Sequence, residues 1–249
     1  MITPPSADEK CAQNAAGEIE RAFWTSVYAC PHTARLGDIG NELNKVRLYA
    51  NEHDIDDHLS ESIAWIAISA YYAGVSPLIR IEHSLNVSNG LNNEYAFTLA
   101  ARAYIEVAGR IHKSIRLWNT YDKDQSKVTE LHNGALRLLC KYTPKDHESE
   151  SRFKGNGFNV MTFIQSLEDK IPGIGLTYDT LSSYVHGGFH EQRSFRLQSW
   201  TSQQRGKPDE IIQKFAAEVE KVRAVAFADL EILLIITKTF RERYDTEHP

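Results

Sequence analysis

The segment YDTLSSYVHGG carries three side chains that can move protons or hold a polar ligand: Tyr178, Ser182 and His186. Their four-residue spacing places them on one face of a helix. An imidazole in the last turn of that helix is favoured in its charged form by the helix dipole. Gly187 and Gly188 then allow the chain to leave the helix sharply beside His186. This stripe is the first candidate site, either for acid–base chemistry or for polar binding.

A second polar stripe, Arg102, Glu106 and Arg110, has the same spacing in an alanine-rich segment, FTLAARAYIEVAGRI. On an exposed helix it would be an ion-pair ladder that stabilises by about 0.3–0.5 kcal/mol per pair. In so apolar a segment we expect the charges to be partly buried, and they then need further partners. We hypothesise that Tyr178 and His186 supply them. The alternative is that the Tyr–Ser–His stripe only makes hydrogen bonds that fix the register of two helices.

The histidines are not spaced as metal ligands. His53 and His58 are five residues apart, so a helix does not direct both imidazoles the same way. His186 and His190 would share a face only if a helix continued through two glycines. The chain also lacks HExxH, Walker A and GxSxG patterns, and GxGxxG after a strand. The sequence therefore predicts no metal site and no cofactor.

Two motifs give the chain a resemblance to a known family. R-x-x-x-E, here Arg102 to Glu106, is followed by Y-x-x-L-S-x-x-x-H, here Tyr178 to His186. With the helix order over about residues 60–240, these motifs resemble those of bacterial helical proteins of the HEPN superfamily. The resemblance implies a helical bundle that is often dimeric, so a homodimer is expected. Many such proteins are metal-independent ribonucleases of toxin–antitoxin, CRISPR and anti-phage systems, which implies a role in bacterial antiviral defence.

The resemblance also implies roles for particular residues. His186 would act as general acid or base at a 2′-hydroxyl, with Arg102 or Arg193 stabilising the phosphate charge. The usual R-x(4–6)-H motif of the family is absent at the matching place, where Asp179 or Thr180 stands instead of arginine. This departure favours a protein that binds without cleaving.

Three functions follow from these residues. The first is a non-catalytic HEPN-like protein that holds a ligand or partner, RNA or protein, through a cluster of Arg102, Glu106, Tyr178, Ser182, His186 and Arg193. The second is a metal-independent ribonuclease with His186 and Arg102 as catalytic residues. The third is a structural oligomerisation module built on the long helices. An R-x5-H pattern also runs from Arg47 to His53, on an earlier helix, as a true motif or a chance match.

Helical periodicity dominates the chain, so the predicted fold class is all-α. Two long helices, about 92–118 and 208–243, are expected to form the spine of a multi-helix bundle in a single domain spanning 1–249. Pro31 is expected to end a first helix, and Ser76 and Pro77 to restart one after Gly74. Segment 143–157 is predicted as an exposed loop and 187–207 as irregular. The shorter helices are predicted at about 8–30, 38–52, 56–74, 76–81, 125–142, 158–169 and 177–186, with a break around 86–90.

Composition limits the classes of protein. The 249 residues are 42% hydrophobic and 24% charged, as in ordinary globular proteins. A net charge of −5 argues against a surface that binds nucleic acid all over, although a local basic patch is compatible with it. Three scattered cysteines fit a reducing compartment. The sequence shows neither a signal peptide nor an apolar run of the roughly 20 residues that a bilayer requires. A cytoplasmic protein without membrane contact is therefore expected.

Overall fold

The computed structural model describes residues 31–52, 57–91, 93–139, 157–186 and 210–247. These residues form helices and connecting turns, and no β-strand occurs among them, which confirms the all-α prediction. The predicted helix 8–30, the segment 187–207 and nearly all of the loop 143–157 lie outside the described residues. The assignment of a single domain over 1–249 therefore stays a prediction.

The described helices follow one another in a simple order. They are α1 (Pro31–Glu52), α2 (His58–Ser69), α3 (Ser76–Gly90), α4 (Glu94–Lys123), α5 (Val128–Leu139), α6 (Val160–Leu167), α7 (Ile174–His186) and α8 (Glu210–Glu247). A π-helical segment, Ala70–Val75, joins α2 to α3, and a 3-10 turn, Gln125–Lys127, precedes α5. The helix boundaries depart most from the sequence prediction at two prolines.

The predicted break between α2 and α3 is wrong, because the helix continues through Ser76 and Pro77. The N–H of Ser76 donates to the carbonyl of Tyr71, five residues back, and Val75 and Ser76 both keep right-handed helical angles. A proline inside an α-helix would clash with the carbonyl four residues earlier. The wider π turn directly before Pro77 moves the preceding carbonyls and so accommodates the ring.

Pro31 is the first residue of α1, and the helix that was predicted to end before it lies outside the described residues. Proline is favoured at this position, where its missing N–H would have no helical partner and its fixed φ suits a helix. The helix then passes through Gly37, where the sequence predicted its beginning. Gly40 of this helix packs closely against Val75 and Tyr71. A Cβ at position 40 would lie 3.1 Å from Val75 Cγ1.

The long helix α4 lies at the centre of the described bundle, because it packs against α3, α5, α6, α7 and α8. Its inner face buries Ala101, Tyr104, Ile105, Ala108 and Ile111. These positions recur at three and four residues, which is the spacing of one helix face. α8 is longer still and contributes Val222, Ala226, Leu230 and Leu233 to the same core. The two helices predicted as long are thus the longest described, and they contact each other; their role as the spine of a HEPN-like bundle stays a prediction.

One stretch of the described chain, His58–Asn89, is long and apolar enough to cross a membrane. It covers α2, the π-helical segment and nearly all of α3, and 56% of its most apolar window is buried inside the bundle. A buried core helix meets the same criteria of length and hydropathy. The stretch therefore does not establish membrane association either way.

Candidate functional site

Arg102, Glu106 and Tyr178 meet in one hydrogen-bonded cluster, as the sequence predicted for these three. The Tyr178 hydroxyl donates to Glu106 Oε1 at 2.6 Å and accepts from Arg102 Nε and Nη2 at 3.2 and 3.0 Å. Arg102 Nη2 also lies 3.2 Å from Glu106 Oε1. The guanidinium Cζ also lies over the phenol ring, 5.2 Å from its centroid. We call this group the Arg–Glu–Tyr cluster.

The turn before α7 fixes the position of Tyr178. The carboxylate of Glu168 accepts from the backbone N–H groups of Gly173 and Gly175, at 2.8 and 2.7 Å. Two N–H groups at the start of the helix thereby gain an acceptor, and the negative charge is favourable at a helix N-terminus. Gly173 has φ of +85°, a left-handed conformation that suits glycine. The IPGIG segment, read from sequence only as a turn, thus sets where α7 begins.

The cluster lies at the boundary of the core. Tyr178 is buried, whereas the side chains of Arg102 and Glu106 keep 25% and 29% of their surface exposed. Burial raises the pKa of the Tyr178 phenol, the hydrogen bond and charge of Glu106 raise it further, and Arg102 opposes them. The phenol therefore stays protonated at neutral pH and serves as a donor. It is poorly suited to act as a general base.

The other predicted members of the site are only partly located. Ser182 follows Tyr178 by one turn, and its Oγ is buried without a hydrogen-bond partner among the described residues. His186 is the last residue of α7, and its side chain lies outside the described part of the chain. Arg193 and the Arg47 side chain, like His53, lie outside it too. The predicted contact of His186 with the Arg–Glu–Tyr cluster therefore stays a prediction.

Positive charge continues along α4 beyond the cluster. Arg110 is stacked on Phe163, at 4.9 Å, and donates to the carbonyl of Leu138 at 3.4 Å. Lys113 and Arg137, from α4 and α5, both lie over the ring of Phe158, at 5.2 and 4.2 Å from its centroid. Cation–π contacts of this kind hold a cation near an apolar surface.

Arg116 extends this surface towards the end of α4. Its Nη1 lies 3.3 Å from Asp169 Oδ1, and both side chains are about half exposed. Burial lowers the pKa of Lys113, the charges of Arg116 and Arg137 lower it further, and the charge of Glu130 opposes them. Burial likewise lowers the pKa of Arg110, against the attraction of Glu106. We call Arg102, Arg110, Lys113, Arg116 and Arg137 the basic surface.

Sequence reasoning missed the ionic contacts inside the bundle. Glu82 of α3, which is fully buried, accepts from Arg223 Nε and Nη2 of α8 at 2.6 and 2.8 Å. Arg223 also pairs with Glu220, one turn earlier on the same helix. Burial lowers the pKa of Arg223, but the bonds to Glu82 and Glu220 outweigh it, and the net shift is upward. The sequence could have indicated this pair, because Glu82 and Arg223 both occupy helix positions that face the core.

A second buried pair joins α4 to α8. His112 Nδ1 lies 2.8 Å from Asp229 Oδ2, and 3% and 6% of the two side chains are exposed. Nε2 of His112 has no hydrogen-bond partner among the described residues. Nearby on α4, burial and the charge of Glu82 raise the pKa of Tyr104 well above its ordinary value. These groups are buried in the core, so a large ligand cannot contact them.

No protein-family model, curated protein or solved structure matches the chain.

Proposed function

We propose that this chain is a non-catalytic, HEPN-like binding protein whose partner is RNA, held by its phosphate groups on the basic surface. The observation that carries the proposal is the convergence of Lys113 and Arg137 on the single ring of Phe158. Two positive charges that lie close together repel each other, and a bound anion lowers that repulsion. The chain as a whole carries a net charge of −5, so this local concentration of cations differs in sign from the average charge of the protein.

The shape of the surface favours a chain of phosphates over a single one. Arg102, Lys113 and Arg116 lie within one face of α4, as their spacing requires. The first and the last are 14 positions apart, which corresponds to about 21 Å at 1.5 Å per residue. Exposed arginines such as Arg116 and Arg137 can also stack on unpaired bases. A single-stranded RNA would use both properties.

The Arg–Glu–Tyr cluster supports binding better than cleavage. Its three polar groups satisfy one another, and the Tyr178 hydroxyl keeps its proton. A nuclease that works without metal needs a group that takes a proton from the 2′-hydroxyl. The Tyr178 phenol cannot take that proton, and the Glu106 carboxylate already accepts from Tyr178 and lies beside Arg102. We infer that Glu106 and Tyr178 hold the Arg102 guanidinium in place for a phosphate.

The test is fluorescence anisotropy with a labelled single-stranded RNA pool, without metal, at salt concentrations between about 50 and 200 mM. The variant Arg116→Ala with Arg137→Ala removes two exposed cations of the basic surface. Affinity is expected to fall at least about tenfold, about 1.4 kcal/mol. The dependence of log K on log salt should become shallower by about 1.4, the value for two lost phosphate contacts on a single strand.

The matched control is Arg35→Ala with Lys45→Ala, which removes two exposed cations of α1. Its affinity should stay close to that of the wild type. Equal losses in the two double variants, or no RNA binding by folded wild-type protein, would overturn the proposal. The same RNA is then run on a denaturing gel. Cleavage that disappears in His186→Ala would overturn the non-catalytic part and establish the ribonuclease.

A further inference from the structure

His58, Glu61 and His132 bring three potential metal ligands together on another side of the bundle. Within the described residues, one ligand atom from each lies within 4.8 Å of the other two. His58 and Glu61 occupy the first turn of α2, and His132 belongs to α5, which packs against α2. The sequence did not predict this group, because it considered His58 only with His53, its neighbour along the chain.

Local structure holds the first two ligands on one side of α2. Asp57 caps this helix, since its side chain accepts from the N–H of Ser60 at 2.8 Å. The cap fixes where α2 begins, and the three-residue spacing then places His58 and Glu61 on the same face. Ser62 Oγ donates to the carbonyl of His58 in the same turn.

The third ligand is held from the other helix. His132 Nδ1 lies 3.8 Å from Glu61 Oε2, beyond hydrogen-bond distance, and 3.5 Å from Ser62 Oγ. The rings of His58 and His132 are 4.4 Å apart between centroids, and Trp65 covers His132 at 4.8 Å. Two imidazoles and a carboxylate are thus adjacent, without a direct hydrogen bond between the Glu61 and His132 side chains among those described.

We propose that His58, Glu61 and His132 form a Zn²⁺ site with two nitrogen ligands, one oxygen ligand and a fourth position open to water. Imidazole nitrogen and carboxylate oxygen bind Zn²⁺ at about 2.0–2.2 Å, and two histidines with one glutamate are a known ligand set for zinc. Ligand atoms around a tetrahedral ion at that distance are about 3.4 Å apart. The three side chains must therefore close slightly around the ion.

The three side chains differ in exposure, and this difference allows the closure. Only 14% of the His132 side chain is exposed, compared with 35% for Glu61, and His58 is exposed. His132 is the fixed ligand, whereas the exposed His58 can turn towards the ion without disturbing the core. The exposed side of the group leaves the fourth position to water, the arrangement of zinc sites that exchange a ligand.

The test is isothermal titration of the full-length, chelator-treated protein with Zn²⁺, together with Co²⁺ absorption as a report on ligand geometry. Wild type should bind one equivalent, and His58→Ala and Glu61→Gln should each weaken that binding at least about tenfold. His32→Ala, which removes an exposed histidine of α1, is the matched control and should leave it unchanged.

His58→Ala is the decisive variant, because an exposed side chain is not needed for folding. Absence of Zn²⁺ binding by folded wild type would overturn the proposal. Full-strength binding by His58→Ala would also overturn it, because the ion would then lie elsewhere. Neither result bears on RNA binding, which is measured without metal on different residues.

Discussion

The guanidinium of Arg223 and the carboxylate of Glu82 face each other inside the bundle and share two hydrogen bonds, at 2.6 and 2.8 Å. The two residues are 141 positions apart in the chain, on α8 and α3. Arg223 has a second acidic partner, Glu220, one turn earlier on α8. The pair of Arg223 and Glu82 therefore ties α3 to α8.

Glu82→Ala is expected to destabilise the protein by about 3–5 kcal/mol, because it leaves the Arg223 charge buried with only Glu220 beside it. The control is Glu231→Ala, which breaks the pair of Arg35 and Glu231, whose side chains are 58% and 45% exposed. An exposed pair contributes at most about 1 kcal/mol. The free energy of unfolding, measured with urea and circular dichroism, checks both. Similar losses in the two variants would contradict the importance given to burial.

Tyr178→Phe removes the hydroxyl that links Arg102 to Glu106. Those two side chains keep their direct contact, so the loss of stability is expected to be about 1–2 kcal/mol. If the cluster holds Arg102 for phosphate, RNA affinity should also fall, by about fivefold or about 1 kcal/mol. Urea unfolding and RNA anisotropy are measured on the same preparation. A stability loss with unchanged affinity would assign the cluster a purely structural role.

Alkaline pH should destabilise the protein through Tyr104. Its pKa in the folded protein is raised by burial and by Glu82, above the ordinary value of 10.0. The folded state therefore holds this proton more tightly than the unfolded chain. The contribution to stability is complete below about pH 10 and is lost as pH rises through the folded pKa.

The measurement is urea unfolding at several values from about pH 8 to 11. Tyr104→Phe cannot ionise, so its stability should fall less steeply above about pH 10 than that of the wild type. Other groups that titrate in this range, such as Lys113, are present in both proteins and cancel in the difference. Parallel curves for the two proteins would refute the assignment.

Gly109→Ala tests the closest approach of α4 to α6. A Cβ at position 109 would lie 2.5 Å from the backbone oxygen of Phe163, whose helix is also tied to Gly109 by Ser166. Alanine favours a helix by about 1 kcal/mol over glycine. The clash is with backbone, however, and overpacking costs about 1–3 kcal/mol or more. We expect a net loss of stability.

Gly74→Ala is the matched control for this substitution. There the Cβ would lie 3.1 Å from Ile111 Cγ1, an atom of a side chain that can adjust. Its free energy of unfolding should change less than that of Gly109→Ala in the same urea experiment. A loss for Gly109→Ala no larger than that for Gly74→Ala would show that α4 and α6 can move apart to admit the methyl group.

The sequence predicted the helices well where the signal was local periodicity. The long helix predicted at 92–118 is observed as Glu94–Lys123, and the one predicted at 177–186 as Ile174–His186. Pro77 misled the prediction, because the effect of a proline depends on the hydrogen bonds of the turn before it. At Pro77 that turn is π-helical, which no residue pattern announced.

The convergence of Arg102, Glu106 and Tyr178 was also predicted, since charges in an alanine-rich segment required partners and a polar stripe on another helix offered them. The Glu82–Arg223 and His112–Asp229 contacts were not. Helical spacing shows which residues share one face of a helix. It does not show which face of another helix packs against that face. Only the packing of α3, α4 and α8 brings those charges together.

The sequence by itself thus determined the all-α class, most helix positions and one polar cluster, because these follow from interactions within a few turns of chain and from the demand of buried charge for a partner. The tertiary structure alone decided which distant residues meet: the buried ion pairs, the cations on Phe158, and the group of His58, Glu61 and His132. These contacts join helices far apart in the chain, and their geometry depends on how the whole core packs.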